Sequence, residues 1–139
     1  MSALGIGGPV HAVVAVLGVL ILTFAVFRLW ASELAPRTRR LATGAAVFMI
    51  VPFSVGAAIY PAYRMHIKPE LLLTHPPLVL AFESKEHLAA MGLCCVLGGA
   101  GAMVSPEGAR AGRSLLTTGW LLCVSAAAIG VVVTWLPTL

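Results

Sequence analysis

Four long apolar runs, roughly residues 10–30, 41–60, 77–104 and 115–136, take up most of this 139-residue chain. Each is near the ~20 residues that an α-helix needs to cross ~30 Å of hydrocarbon. Few folds are open to such a chain, because inside a bilayer every backbone N–H and C=O must find its partner within the protein. Barrel strands would alternate over ~10 residues, and these runs do not. The sequence therefore predicts an all-α integral membrane protein. It is expected to form a single four-helix transmembrane bundle over residues 1–139, with helices at roughly 10–32, 40–61, 77–104 and 112–136. The composition agrees, with 60% hydrophobic and 10% charged residues, where soluble domains carry about 25% charged.

The formal net charge of +4 does not point to nucleic acid, because the charges fall at the helix ends. Arg28, Arg37, Arg39 and Arg40 surround the first connection, and Arg110 and Arg113 the third. On the opposite side Arg64, Lys68 and Lys85 are balanced by Glu70, Glu83 and Glu86. Lys and Arg collect on the cytoplasmic side, so both termini and the 62–80 loop are expected on the outer, periplasmic side of a bacterial-type inner membrane. No basic residue precedes the first run and no clear cleavage site follows it, so it reads as a retained helix. Cys94, Cys95 and Cys123 lack the spacing of a disulfide framework or zinc motif and read as small packing residues.

Local signals refine the elements. Gly8-Pro9 is a natural helix entry, and Pro52 with Gly56 predicts a kink in the second helix. Tyr60 and Tyr63 sit where interfacial aromatics anchor a helix end, as do Trp120 and Trp135 in the last helix. The long outer loop, with His66, His75, several prolines and Leu71-Leu72-Leu73, reads as a folded cap on the membrane surface. Along the third helix, Met91, Cys94, Gly98 and Gly101 form a stripe below His87 on which another helix or a flat ligand can lie close.

The chemistry concentrates at Phe82-Glu83-Ser84-Lys85-Glu86-His87, at the mouth of the run from Leu88 to Val104. Charges and a histidine against a membrane-length segment are costly unless they sit at the interface or build a site. His11 is followed by an apolar stretch reaching Arg28, and His87 by one reaching Ser105, so the two imidazoles stand at similar depth on separate helices. Such a pair can supply both axial ligands of a haem b held between facing helices. Arg64, Lys68 and Lys85 are then available to the propionates, Glu83 or Glu86 to orient an imidazole proton, and Tyr60, Tyr63 and Arg64 to border a quinone or substrate pocket. Two other readings stay open. Both histidines can be interfacial polar residues, or His11, His66, His75, His87 and Glu83 can hold copper or another metal ion without porphyrin.

A short four-helix chain with His11 opening the first helix, Arg39-Arg40 opening the second, a histidine early in the third and a terminal Val131-Val132-Val133 helix resembles the HemJ-type protoporphyrinogen oxidases and the related CopD-like membrane proteins. The resemblance covers most of the chain in topology and little of it in identity. It implies that His11 and His87 serve haem b. The lysine that follows the second histidine in that family is replaced here by Leu88-Ala89, and its tryptophan and lysine before the first histidine by Gly8-Pro9-Val10. Haem binding is thus carried over better than porphyrinogen oxidation.

The expected function is an outward-facing, His-ligated b-type haem membrane protein, engaged in electron transfer or quinol-linked redox chemistry, a membrane oxidoreductase if it has a substrate. The alternatives are a non-catalytic accessory subunit of a larger membrane complex and a copper- or metal-handling membrane protein. Expected partners are the lipid membrane, a quinone, and a larger complex or further copies of the chain, with no nucleic acid. A hydrolase is disfavoured, because no serine, histidine and acid set is evident and aspartate is absent from the sequence.

Overall fold

A computed structural model describes residues 3–31 and 35–135 of the chain, with side chains from Gly7 to Val133. The described residues are almost wholly helical and include no strand. In order they form α1 (Ala3–Ala31), α2 (Pro36–Phe48), α3 (Ile50–His66), α4 (Lys68–Thr74), α5 (Pro76–Ala102) and α6 (Ala109–Trp135). Three stretches are long and apolar enough to cross a membrane: Gly7–Ala31, Pro36–His66 and Ala109–Val133. The chain is thus a multi-pass membrane protein. The segment α5 has comparable length, but Glu83, Lys85 and Glu86 crowd its first half.

The boundaries depart from the sequence expectation in instructive ways. α1 begins at Ala3, so Pro9, expected at the helix entry, stands inside it. The expected ends at residues 32 and 136 lie outside the described residues, as does the side chain of Trp135. The second expected helix is two, interrupted at Met49. The cause is Pro52, which has no N–H to offer and whose ring crowds the carbonyl four residues back. That residue is Phe48, where α2 ends. The outer loop is folded, as its composition suggested, into the short helix α4.

α1 packs against α2 and α3 on one side and α6 on the other, while α5 packs chiefly on α6 and also on α2. The α5–α6 seam is the tightest. Gly92, Val96 and Gly99 on α5, with Met103 at its C-cap, face Gly112, Leu116, Gly119 and Cys123 on α6, each set at alternating four- and three-residue steps. A Cβ on Gly99 would stand 2.7 Å from the Gly112 carbonyl oxygen, and one on Gly119 2.7 Å from the Val96 nitrogen. The two backbones therefore touch, which in lipid is where association energy comes from. Gly98 and Gly101, expected on the packing stripe, face open space instead. The turn of the helix puts the step of seven, Gly92 to Gly99, against the neighbour.

Polar side chains bridge the helices at the end opposite α4. Trp120 Nε1 donates to Thr23 Oγ1 at 2.8 Å, and that hydroxyl donates to the Val19 carbonyl at 2.7 Å. Trp30 Nε1 donates to Thr117 Oγ1 at 3.0 Å, and the Arg113 guanidinium lies 5.1 Å from the Trp30 ring centroid. Trp120 stands well inside α6, not near a helix end as the sequence suggests, and joins α1 to α6 there. Among the apolar side chains that remain exposed, Val13, Leu20, Phe24 and Phe27 form a stripe along α1. In a bilayer such a stripe meets lipid at no cost.

Candidate functional site

The α4 end of the molecule is built around contacts between α3 and α5. Tyr63, only 6% exposed, stacks on Phe82 with ring centroids 3.9 Å apart and planes 21° apart. Lys85 Nζ lies 4.4 Å from the Phe82 centroid and 2.9 Å from Glu86 Oε1. Lys68 of α4 pairs with Glu83 of α5, which ties the cap to the helix that carries His87. That hydrogen bond and charge hold the Glu83 carboxyl below its ordinary range.

Below these contacts α3 and α5 diverge. They leave a cleft of about 310 Å³ lined by Phe53, Ala57 and Tyr60 from α3 and by Glu86, His87 and Ala90 from α5. Phe53, Ala57 and Tyr60 are four and three residues apart, one face of a helix. The small side chains of Ala57 and Ala90 keep the space open, and Tyr60 and Glu86 bring polar atoms to it. The cleft falls at the low end of the size range of ligand pockets, about 300–1,000 Å³.

His87 is exposed, and its Nδ1 lies 2.7 Å from the carbonyl oxygen of Glu83, one turn earlier. A carbonyl only accepts, so Nδ1 carries the proton. In a ring with one proton the lone pair then lies on Nε2, the arrangement found in metal-ligating histidines.

His11 of α1 also packs against α3. Its imidazole rests on Gly56, where a Cβ would come within 2.9 Å of Cε1 and 3.3 Å of Nδ1. Gly56 is three residues after Phe53 and four before Tyr60, so both histidines approach the side of α3 that carries the cleft wall. His11 Nδ1 is buried without a hydrogen-bond partner among the described residues. His11 is not itself among the residues that line the cleft.

The other residues singled out from the sequence divide in two groups. Tyr60 and His87 share the cleft, and Glu83 supports His87 through its backbone rather than its carboxylate. Tyr63 is buried in the α3–α5 contact, with its hydroxyl lacking a partner among the described residues. Lys68 and Lys85, considered for propionates, are engaged with Glu83 and Glu86, while Arg64 is exposed. His66 and His75 are exposed on the cap. No group of three or more His, Cys, Asp or Glu residues that would hold a metal ion occurs among the described residues. Sequence reasoning did not identify Gly56, Phe53, Ala57 or Ala90. The Phe53-Ala57-Tyr60 spacing is the signal for the α3 wall, while Gly56 reads from the sequence only as part of a kink.

No protein-family model, no curated protein and no solved structure matches the chain.

Proposed function

We propose that the chain crosses a bacterial-type inner membrane four times as a four-helix bundle with both termini outward, and that its α3–α5 cleft is the edge of a site where His87 would help to hold a haem b. The observation that carries the reading is the His87 Nδ1 contact to the Glu83 carbonyl, which leaves Nε2 available beside an aromatic and small-residue wall. His11 is the proposed second ligand, held in place by the room that Gly56 leaves. When bound, the haem supplies one-electron redox chemistry, with its potential set by the axial ligands and burial.

The protein's own groups have definable parts. The Glu83 carbonyl fixes the tautomer and ring orientation of His87. Phe53, Ala57 and Ala90 exclude water from one edge of the site, while Tyr60 and Glu86 offer a hydroxyl and a carboxylate to a bound group. Lys85, 13% exposed and paired with Glu86, offsets a negative charge placed there. The redox partners proposed for it are a membrane quinol and an acceptor on the outer side. The likeness to the HemJ-type and CopD-like proteins points the same way.

The test is the oxidised and dithionite-reduced visible spectrum of the protein purified in detergent after expression with adequate haem supply. His87→Ala is expected to abolish the b-type bands. His11→Ala is expected to change the ligation state or to lose the haem. Wild-type bands that survive unchanged in His87→Ala would overturn the assignment.

A further inference from the structure

The opposite end of the molecule carries a second cleft, of about 260 Å³, between the start of α2 and the end of α5. Its lining is Arg39, Arg40 and Thr43 on one wall and Ala100, Met103 and Val104 on the other. Thr43 is four residues after Arg39 and three after Arg40, so the guanidinium groups and the hydroxyl belong to one stretch of helix face. No acidic residue is among those that line the cleft.

Arg39 ties α2 to the residue that follows α5. Its Nη1 donates to the Met103 carbonyl at 3.3 Å, and its Nε is buried without a hydrogen-bond partner among the described residues. A desolvated guanidinium N–H without an acceptor is costly, and a phosphate oxygen in the cleft would supply one. Arg40 is exposed beside it, and the N-terminal end of α2, where the helix dipole is positive, adds to the attraction. The opposite wall is apolar, and Val104 is 83% exposed at the mouth. Such a wall offers nothing to a free inorganic anion but packs against glycerol and acyl carbons.

We propose that this cleft binds the phosphodiester headgroup of an anionic phospholipid, with Arg39, Arg40 and Thr43 on the phosphate and Met103 and Val104 along the chains. Basic pockets between transmembrane helices on the side rich in Lys and Arg take such headgroups. The assignment is independent of the haem reading, since it uses other residues at the other end of the bundle.

The experiment is titration of the full chain, purified in detergent, with phosphatidylglycerol or phosphatidylcholine in mixed micelles. Bound lipid is counted by mass spectrometry of the intact complex. Saturable binding of phosphatidylglycerol over phosphatidylcholine is expected. Arg40→Gln, an exposed position whose loss leaves the Arg39 contact in place, should weaken it about fivefold. Arg37→Gln, an exposed arginine that does not line the cleft, should leave binding unchanged. Equal binding by wild type and Arg40→Gln, equal weakening by Arg37→Gln, or equal retention of both lipids would overturn the site. Displacement of phosphatidylglycerol by inorganic phosphate at comparable concentration would overturn the lipid assignment in favour of a free anion.

Discussion

At the scale of single residues, the site depends on what each side chain is prevented from doing. His87 cannot present Nδ1 outward, because its Nδ1–H donates to the Glu83 carbonyl. His11 holds its place because position 56 has no side chain. Glu83 does a second job through its carboxylate, which Lys68 hydrogen-bonds. Because that contact lowers the Glu83 pKa, its contribution is present above the unfolded carboxylate value, about 4. It is lost as the pH falls through the lower, folded value. Acidification through that range should therefore release α4 before the bundle opens. Hydrogen exchange read by mass spectrometry over residues 67–75 at neutral and acid pH checks this, and Glu83→Gln should show the released exchange already at neutral pH. Unchanged protection of that segment in Glu83→Gln would show that the ion pair does not hold the cap.

At the scale of elements, the α5–α6 seam and the α2–α3 break show how far the sequence could be read. Pro52 announced its break, because a missing N–H and a crowding ring act on Phe48 whatever surrounds them. The apolar length of α1 and α6 was equally plain. The rotation of α5 was not, because glycines occur on more than one of its faces. Gly98 and Gly101 looked as suitable for close packing as Gly92 and Gly99, and only the partner helix decides between them. The same limit applied to the site. His87 and Tyr60 were recognisable by type and position, but that Tyr63 turns into Phe82 and that His11 seats on Gly56 follow from how three helices are rotated. The seam makes a quantitative prediction. Gly119→Leu must displace α5 backbone, since even a Cβ there would crowd Val96 and the Gly92 carbonyl. A loss of about 1–3 kcal/mol is expected, read as lower thermal stability in detergent, while Gly98→Leu, which meets open space, should cost far less.

At the scale of the whole molecule, the proposed orientation puts a charged, aromatic and histidine-bearing end outside and an arginine-rich end inside. Labelling with a membrane-impermeant maleimide in a cysteine-free background tests that orientation. His75→Cys should react in intact spheroplasts, and Arg110→Cys only after they are permeabilised. The reverse pattern would invert the bundle and put the α3–α5 cleft on the cytoplasmic side. The most direct test of the central claim, a haem held at that cleft, is pyridine haemochrome analysis of the purified wild type produced with adequate haem supply. Stoichiometric haem b is expected, whereas a colourless, folded protein would contradict the assignment and leave a small membrane subunit without a redox group of its own.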